Sequence, residues 1–241
     1  DTLQKYDVYW DDGVTDAPII VMLHGGAWAF GDKRNRQVWQ EKVDYWRPKG
    51  YIFVSVNTRL LPDAPDQQAV DFAKAVASVQ KHATRWGGDP KRVILMGHSA
   101  GAHIAALVGG SPRYQRRHGM QRVLGTVVLD SAALDLERLM QNSPSRLHKR
   151  AFGADPSFWK TVSPEQQITR DAAPLLVVCS AFRRNVCTEA RGYAKTAAQK
   201  GVKATLMPVR LRHGPINGAL GRPSAYTNAV SRWIAARVGT P

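Results

Sequence analysis

The chain has 241 residues, 44% of them hydrophobic, with 34 Lys and Arg against 19 Asp and Glu and a formal charge of +15. That size and apolar fraction suit a single large domain with a sizeable core, and no apolar run is long enough to span a membrane. The basic excess would hold polyanions or acidic surfaces and steer anionic substrates. However, no recognition helix, zinc-finger spacing or aromatic RNA-binding pattern accompanies it, so a dedicated nucleic-acid binder is not expected.

In chain order, DVYWDDG predicts a short antiparallel edge strand. The runs IIVML (19–23), YIFVSV (51–56), RVILMG (92–97), VLGTVVLD (123–130), PLLVVCS (174–180) and ATLMPV (204–209) predict strands buried on both faces. Helical periodicity fills the gaps. It covers Asp66–Trp86 (with Val70, Ala73, Val76, Ala77 and Val79 on one face), Ser99–Val108, Thr188–Lys200 and Pro223–Val238. Strands alternating with helices predict an α/β fold, a mostly parallel sheet with helices on both faces. No repeat or low-complexity linker divides residues 1–241, so one domain is expected. The long excursion from Leu134 to Arg170 is read as a cap-like insertion, because long connections in compact domains tend to be functional.

Three short segments carry chemistry. VMLHGGAWAFGDK (21–33) breaks a buried strand at His24-Gly25-Gly26, where paired glycines let backbone N–H groups approach a ligand. MGHSAGA (96–102) sets Ser99 between Gly97 and Gly101 where a strand meets a helix. Small neighbours at i−2 and i+2 allow a tight turn that lifts the hydroxyl above the sheet, beside a helix N-terminus. MPVRLRHGPINGALG puts His213 just after the last strand-like run. Of seven histidines, His213 alone combines a strand end, a following glycine and a position after the serine in the chain. Ser99 thus reads as nucleophile and His213 as general base. The backbones of Gly26, Ala27 and Ala100 read as oxyanion donors. Trp28 either walls the acyl or alcohol pocket or lies in the core beneath the loop.

HGGAW at 24–28, GHSAG at 97–101 and HG at 213–214 resemble the α/β-hydrolase superfamily, in identity and in chain order. The likeness is to serine esterases and lipases with an HGG-type oxyanion loop, such as the hormone-sensitive-lipase-like and feruloyl-esterase-like groups. It implies hydrolysis of a small-molecule or lipid-like carboxylic ester through an acyl-serine, without metal or cofactor. An amidase or formamidase of the same fold is the alternative reaction. A catalytically weakened binding protein on the hydrolase scaffold is the alternative class.

The third triad member departs from the pattern. Most of the superfamily carries its acid after the seventh strand, and here that strand end, CSAFRRNVC, holds no Asp. Asp130, in LDSA at the end of the 123–130 run, is the first candidate, matching lipases that carry the acid after the sixth strand; it could instead cap its own loop. Asn185 is the second, able to orient an imidazole but less able to stabilise its charge. Asp135 and Glu189 are weaker alternatives. Cys179 and Cys187 bracket a short segment compatible with a local disulfide, or stay free thiols. With the Asp start, which leans toward a processed or trimmed chain, a disulfide favours a periplasmic or secreted location, the cytoplasm being the alternative.

Overall fold

The Val- and Ile-rich runs become strands because β-branched side chains suit a pleated surface covered on both faces. The computed structural model describes residues 2–142 and 144–239. Its strands are β1 (Tyr6–Tyr9), β2 (Ala17–Leu23), β3 (Ile52–Val56), β4 (Gly88–His98), β5 (Gly125–Leu129), β6 (Leu175–Ser180) and β7 (Ala204–Val209). Among the described residues they form one sheet in the order β1-β3-β2-β4-β5-β6-β7. β1 runs antiparallel to β3, and every other pairing is parallel.

Alternate residues of one strand enter different cores, as the two-residue period requires. Ile19, Val21 and Leu23 of β2 pack with Phe72 and Val76 of α2 (Pro65–His82) and with Ile104 and Leu107 of α3 (Ala100–Gly110). Ile20 and Met22 face the other way. They join Val38, Val43 and Trp46 of α1 (Arg36–Trp46) and Val230, Trp233 and Ile234 of α11 (Ala225–Val238). α4 (Pro112–Arg117) follows α3. The excursion between β5 and β6 folds into short helices: α5 (Leu136–Gln141), α6 (Arg146–Phe152), α7 (Pro156–Val162) and α8 (Pro164–Gln167). α9 (Arg184–Gln199) follows β6, and α10 (His213–Gly218) follows β7.

Two expectations are corrected. β7 ends the sheet and is half exposed rather than buried on both faces, because only β6 pairs with it. α9 starts at Arg184, four residues earlier than the periodicity predicts. Val186 and Cys187 extend the buried stripe of Ala190, Tyr193 and Ala197 back by one turn, and the polar RRN hides that continuation. Cys187 therefore sits on the helix, and its disulfide with Cys179 ties the first turn of α9 to the end of β6, with Cα atoms 5.2 Å apart.

Parallel strands deliver their carboxyl ends to one edge of the sheet, where ligands of such folds bind. His24, Ser99 and Asp130 each follow a strand at that edge, and so do the turns leading to α9 and α10.

Candidate active site

Ser99 leaves β4 with φ 56° and ψ −119°, a conformation an L-residue adopts only when its surroundings impose it. Its N–H is held by the Leu129 carbonyl at 2.9 Å. The flanking glycines are there for contact. A Cβ on Gly97 would stand 2.2 Å from the Gly101 carbonyl oxygen, and one on Gly101 would stand 2.2 Å from the His24 carbonyl oxygen. Gly25 is less tight, its Cβ position lying 3.0 Å from the His98 carbonyl oxygen and 3.1 Å from Cβ of Ser99. Elbow and glycine loop are thus pressed backbone to backbone.

The glycine loop is itself strained. Gly26, Ala27 and Trp28 take φ values of 128°, 51° and 61° in succession. The Gly26 carbonyl accepts from the N–H groups of Ala29 and Phe30, which closes the turn. Among the described residues, the N–H groups of Gly26 and Ala27 have no acceptor. Ala100 opens α3, where helical geometry leaves its N–H unpaired as well.

Trp28 lies beneath this loop, buried against Phe152 at 4.7 Å between ring centroids. Its indole N–H donates to His103 Nδ1 at 3.1 Å, and His103 Nε2–H donates to the Val162 carbonyl at 2.8 Å. Burial pushes the His103 imidazole down to about 4, so it stays neutral and can accept on one side while donating on the other. One histidine of α3 thereby ties the glycine loop to the excursion. Trp28 is a core residue beneath the loop, and it also lines a small cavity with Leu23, Phe30 and Ala100.

On the far side of Ser99, Nδ1 of His213 lies 2.6 Å from Oδ2 of Asp130. Asp130 also has a positive φ, 54°, and its other oxygen accepts the Ser180 N–H at 2.8 Å. Arg183 Nη1 reaches the same Oδ2 at 2.6 Å. Burial opposes ionisation of Asp130, but hydrogen bonds from His213, Ser180 and Arg183 outweigh it and hold the carboxyl below its ordinary range. A further hold comes from His98, whose Nε2–H donates to the His213 carbonyl at 3.0 Å. Burial, then the neighbouring His213, pushes His98 down to about 3, so it too is a neutral donor.

Ser99 and His213 line one cleft of about 500 Å³, together with His24, Gly26, Ala27 and Phe30. The other acid candidates lie elsewhere. Asn185 is exposed in the first turn of α9. Asp135 caps α5 and pairs with Arg138, and Glu189 on α9 faces the same arginine at 3.5 Å. Burial pushes Glu189 up to about 7. Arg183 and His98 carried no signal for a site role in the sequence beyond their places at the two strand ends.

A family model described as BD-FAE matches residues 6–189. The chain belongs to the BD-FAE family. This BD-FAE chain is similar to LipM of Mycobacterium tuberculosis, described as a probable carboxylic ester hydrolase. The two are 30% identical over 183 residues, covering 67% of this chain and 40% of LipM. It is also similar to the kynurenine formamidase of Danio rerio, 28% identical over 159 residues that cover 59% of this chain and 52% of that protein. The chain thus spans about half or less of the length of these curated relatives. Among solved structures, esterase B from Lactobacillus Rhamnosis superposes with a TM-score of 0.77 at 22% identity, over 99% of this chain and 82% of that one. The fold is that of the α/β-hydrolases.

Proposed function

We propose that the protein is a serine carboxylic-ester hydrolase, with Ser99 as nucleophile, His213 as general base and Asp130 as triad acid. One observation carries this: a serine at φ 56° and a histidine share a cleft, and the histidine's far nitrogen meets a buried carboxylate. With Nδ1–H donating to Asp130, Nε2 is the free acceptor of the imidazole. It takes the proton of Ser99 as Oγ attacks the ester carbonyl. The N–H groups of Gly26, Ala27 and Ala100 receive the oxyanion, with no reorganisation required of the protein. Collapse expels the alkoxide, which takes the proton from His213 and leaves an acyl-serine. Water then attacks, with His213 again as base, and releases the acid and the free serine.

The substrate is a small-molecule or lipid-like ester, and helices α5–α8 act as a cap over the single domain. The Cys179–Cys187 disulfide supports a periplasmic or secreted setting. The likeness to a formamidase supports a second reading, hydrolysis of an aryl formamide by the same residues.

A fluorophosphonate probe should label Ser99 alone, and Ser99→Ala should lose both labelling and about 10⁶-fold in turnover of a short p-nitrophenyl ester. Labelling of another serine, or an active Ser99→Ala enzyme, would overturn the assignment. Comparing the p-nitrophenyl esters with a formanilide decides between the two reactions.

A further inference from the structure

The strand end at β6 bears a cation, Arg183, and that cation touches both Asp130 and His213. Arg183 Nη1 stands 2.6 Å from Asp130 Oδ2 and 2.7 Å from His213 Nδ1, and Nδ1 is itself 2.6 Å from that oxygen. Three atoms therefore form a near-equilateral triangle, with two nitrogens competing for one carboxylate oxygen. The second oxygen accepts the Ser180 N–H, and both side-chain nitrogens turn to Oδ2 instead. Arg183 directly precedes α9, whose first turn the disulfide fastens to β6, so the backbone that carries the guanidinium is fixed on either side.

Resting on the triad reading above, we propose that Arg183 is a positioning residue that shares Asp130 with His213 and thereby sets the lower pH limit of activity. A guanidinium keeps its charge throughout the working range. When His213 takes a proton, the imidazolium must share a carboxylate already paired with one cation, and it lies in contact distance of that cation. A lone carboxylate would favour the protonated ring. Arg183 cancels part of that preference and keeps the base neutral, hence active, to lower pH. It also fixes the rotamer of the carboxylate that orients the ring.

The other charged and titratable groups around the pair do not duplicate this role. His98 of β4, with its ring centroid 4.5 Å from that of His213, is neutral. Lys42 of α1 donates to the Asn217 carbonyl of α10, and its charge bears on His98, adding to the burial that keeps that ring neutral. Tyr226 of α11 donates to the Ile216 carbonyl, and burial, then the Asp130 charge, pushes its hydroxyl up and keeps it un-ionised. Across the cleft, His24 is driven down by burial, and Asp32 is bound to the Arg34 N–H and to Asn57.

The test is the pH dependence of kcat/KM for a p-nitrophenyl ester. Arg183→Met should move the acid limb up by about one pH unit. Arg183→Lys, which restores a charge, should bring the limb back near the parent's even if turnover is lower. Arg183→Gln serves if the methionine variant does not fold, with the same upward shift expected. Asp130→Asn should move the limb the opposite way. A loss of activity equal at every pH, with the limb unmoved in Arg183→Met or Arg183→Gln, overturns the proposal and leaves Arg183 a brace for the turn. An active Ser99→Ala enzyme instead overturns the triad reading on which the proposal rests, so the two failures are distinct.

Discussion

The two halves of the cleft are held by different forces. Around Ser99 and the glycine loop the constraint is shape: positive φ at Gly26, Ala27, Trp28 and Ser99, and backbone contacts at Gly97 and Gly101 that leave no room for a methyl group. Around His213 the constraint is charge, with groups from the ends of β5, β6 and β7 meeting on one carboxylate. Shape requires particular residues at fixed short spacing, so it leaves a motif. A charge network needs only that oppositely charged groups meet. It can be supplied from any neighbouring strand end, and here β5 supplies a carboxylate while β6 supplies an arginine.

Short of removing Ser99 itself, the largest expected effect breaks the charged half. Asp130→Asn keeps the size of the side chain but allows the wrong imidazole tautomer, and turnover should fall by about 10⁴-fold, as in other triads. Asn185→Ala, at an exposed position on α9, should leave turnover within about twofold. Steady-state kinetics of the two variants give the ranking. Similar small losses in both would overturn the role proposed for Asp130 and leave Glu189 and Asp135 as the remaining carboxylates to substitute.

The shaped half should break through stability. Gly101→Ala, in the first turn of α3, would gain at most about 1 kcal/mol in helix propensity. Against that, the new methyl would lie 2.2 Å from the His24 carbonyl oxygen and 2.4 Å from that of Leu23, both backbone atoms with little freedom to retreat. Overpacking of this kind costs roughly 1–3 kcal/mol, and the two backbone clashes put this site at the upper end, so a net loss of up to about 2 kcal/mol is expected in urea unfolding, with lower turnover as the loop is displaced. A variant as stable as the parent would mean that elbow and loop can separate, and that the shape is not enforced there.

How far each half can be read in the sequence follows from the same contrast. HGG and GHSAG mark two strand ends because nothing larger fits, and the apolar runs locate β2 to β6 because both faces of those strands are covered. The exposure of β7 could not be read, since ATLMPV is as apolar as a central strand and edge position is a matter of partner count. Trp28 follows the glycines as a pocket residue would, yet its indole N–H has a buried acceptor on α3, 75 residues away. Arg183 and Arg184 are adjacent arginines of which one bonds Asp130 and the other is exposed. Only the start of α9 decides which one points at the carboxylate.

The last expected effect leaves the chemistry alone and concerns how the charged half is anchored to the rest of the protein. α10, which begins at His213, is fastened to α1 by Lys42, fully buried, whose Nζ donates to the carbonyls of Asn217 at 2.8 Å and Gln37 at 3.1 Å. Burial pushes this lysine down to about 7, with nearby Glu41 only partly opposing the shift. Between pH 7 and the ordinary lysine range near 10.5, the unfolded chain therefore binds a proton at this position that the folded chain has largely released. Stability from this group must rise with pH across that window and be lowest below about 7. Lys42→Met fills similar space and removes the titration, along with two hydrogen bonds worth roughly 1 kcal/mol each at every pH. The melting temperature of the variant relative to the parent should thus improve as pH is lowered from 10 to 7, at about 2–4 °C per kcal/mol for a chain of this size. A difference that stays constant over the window would mean that Lys42 keeps its proton in the fold, and that α10 is anchored by a full ammonium charge instead of by a lysine close to neutrality.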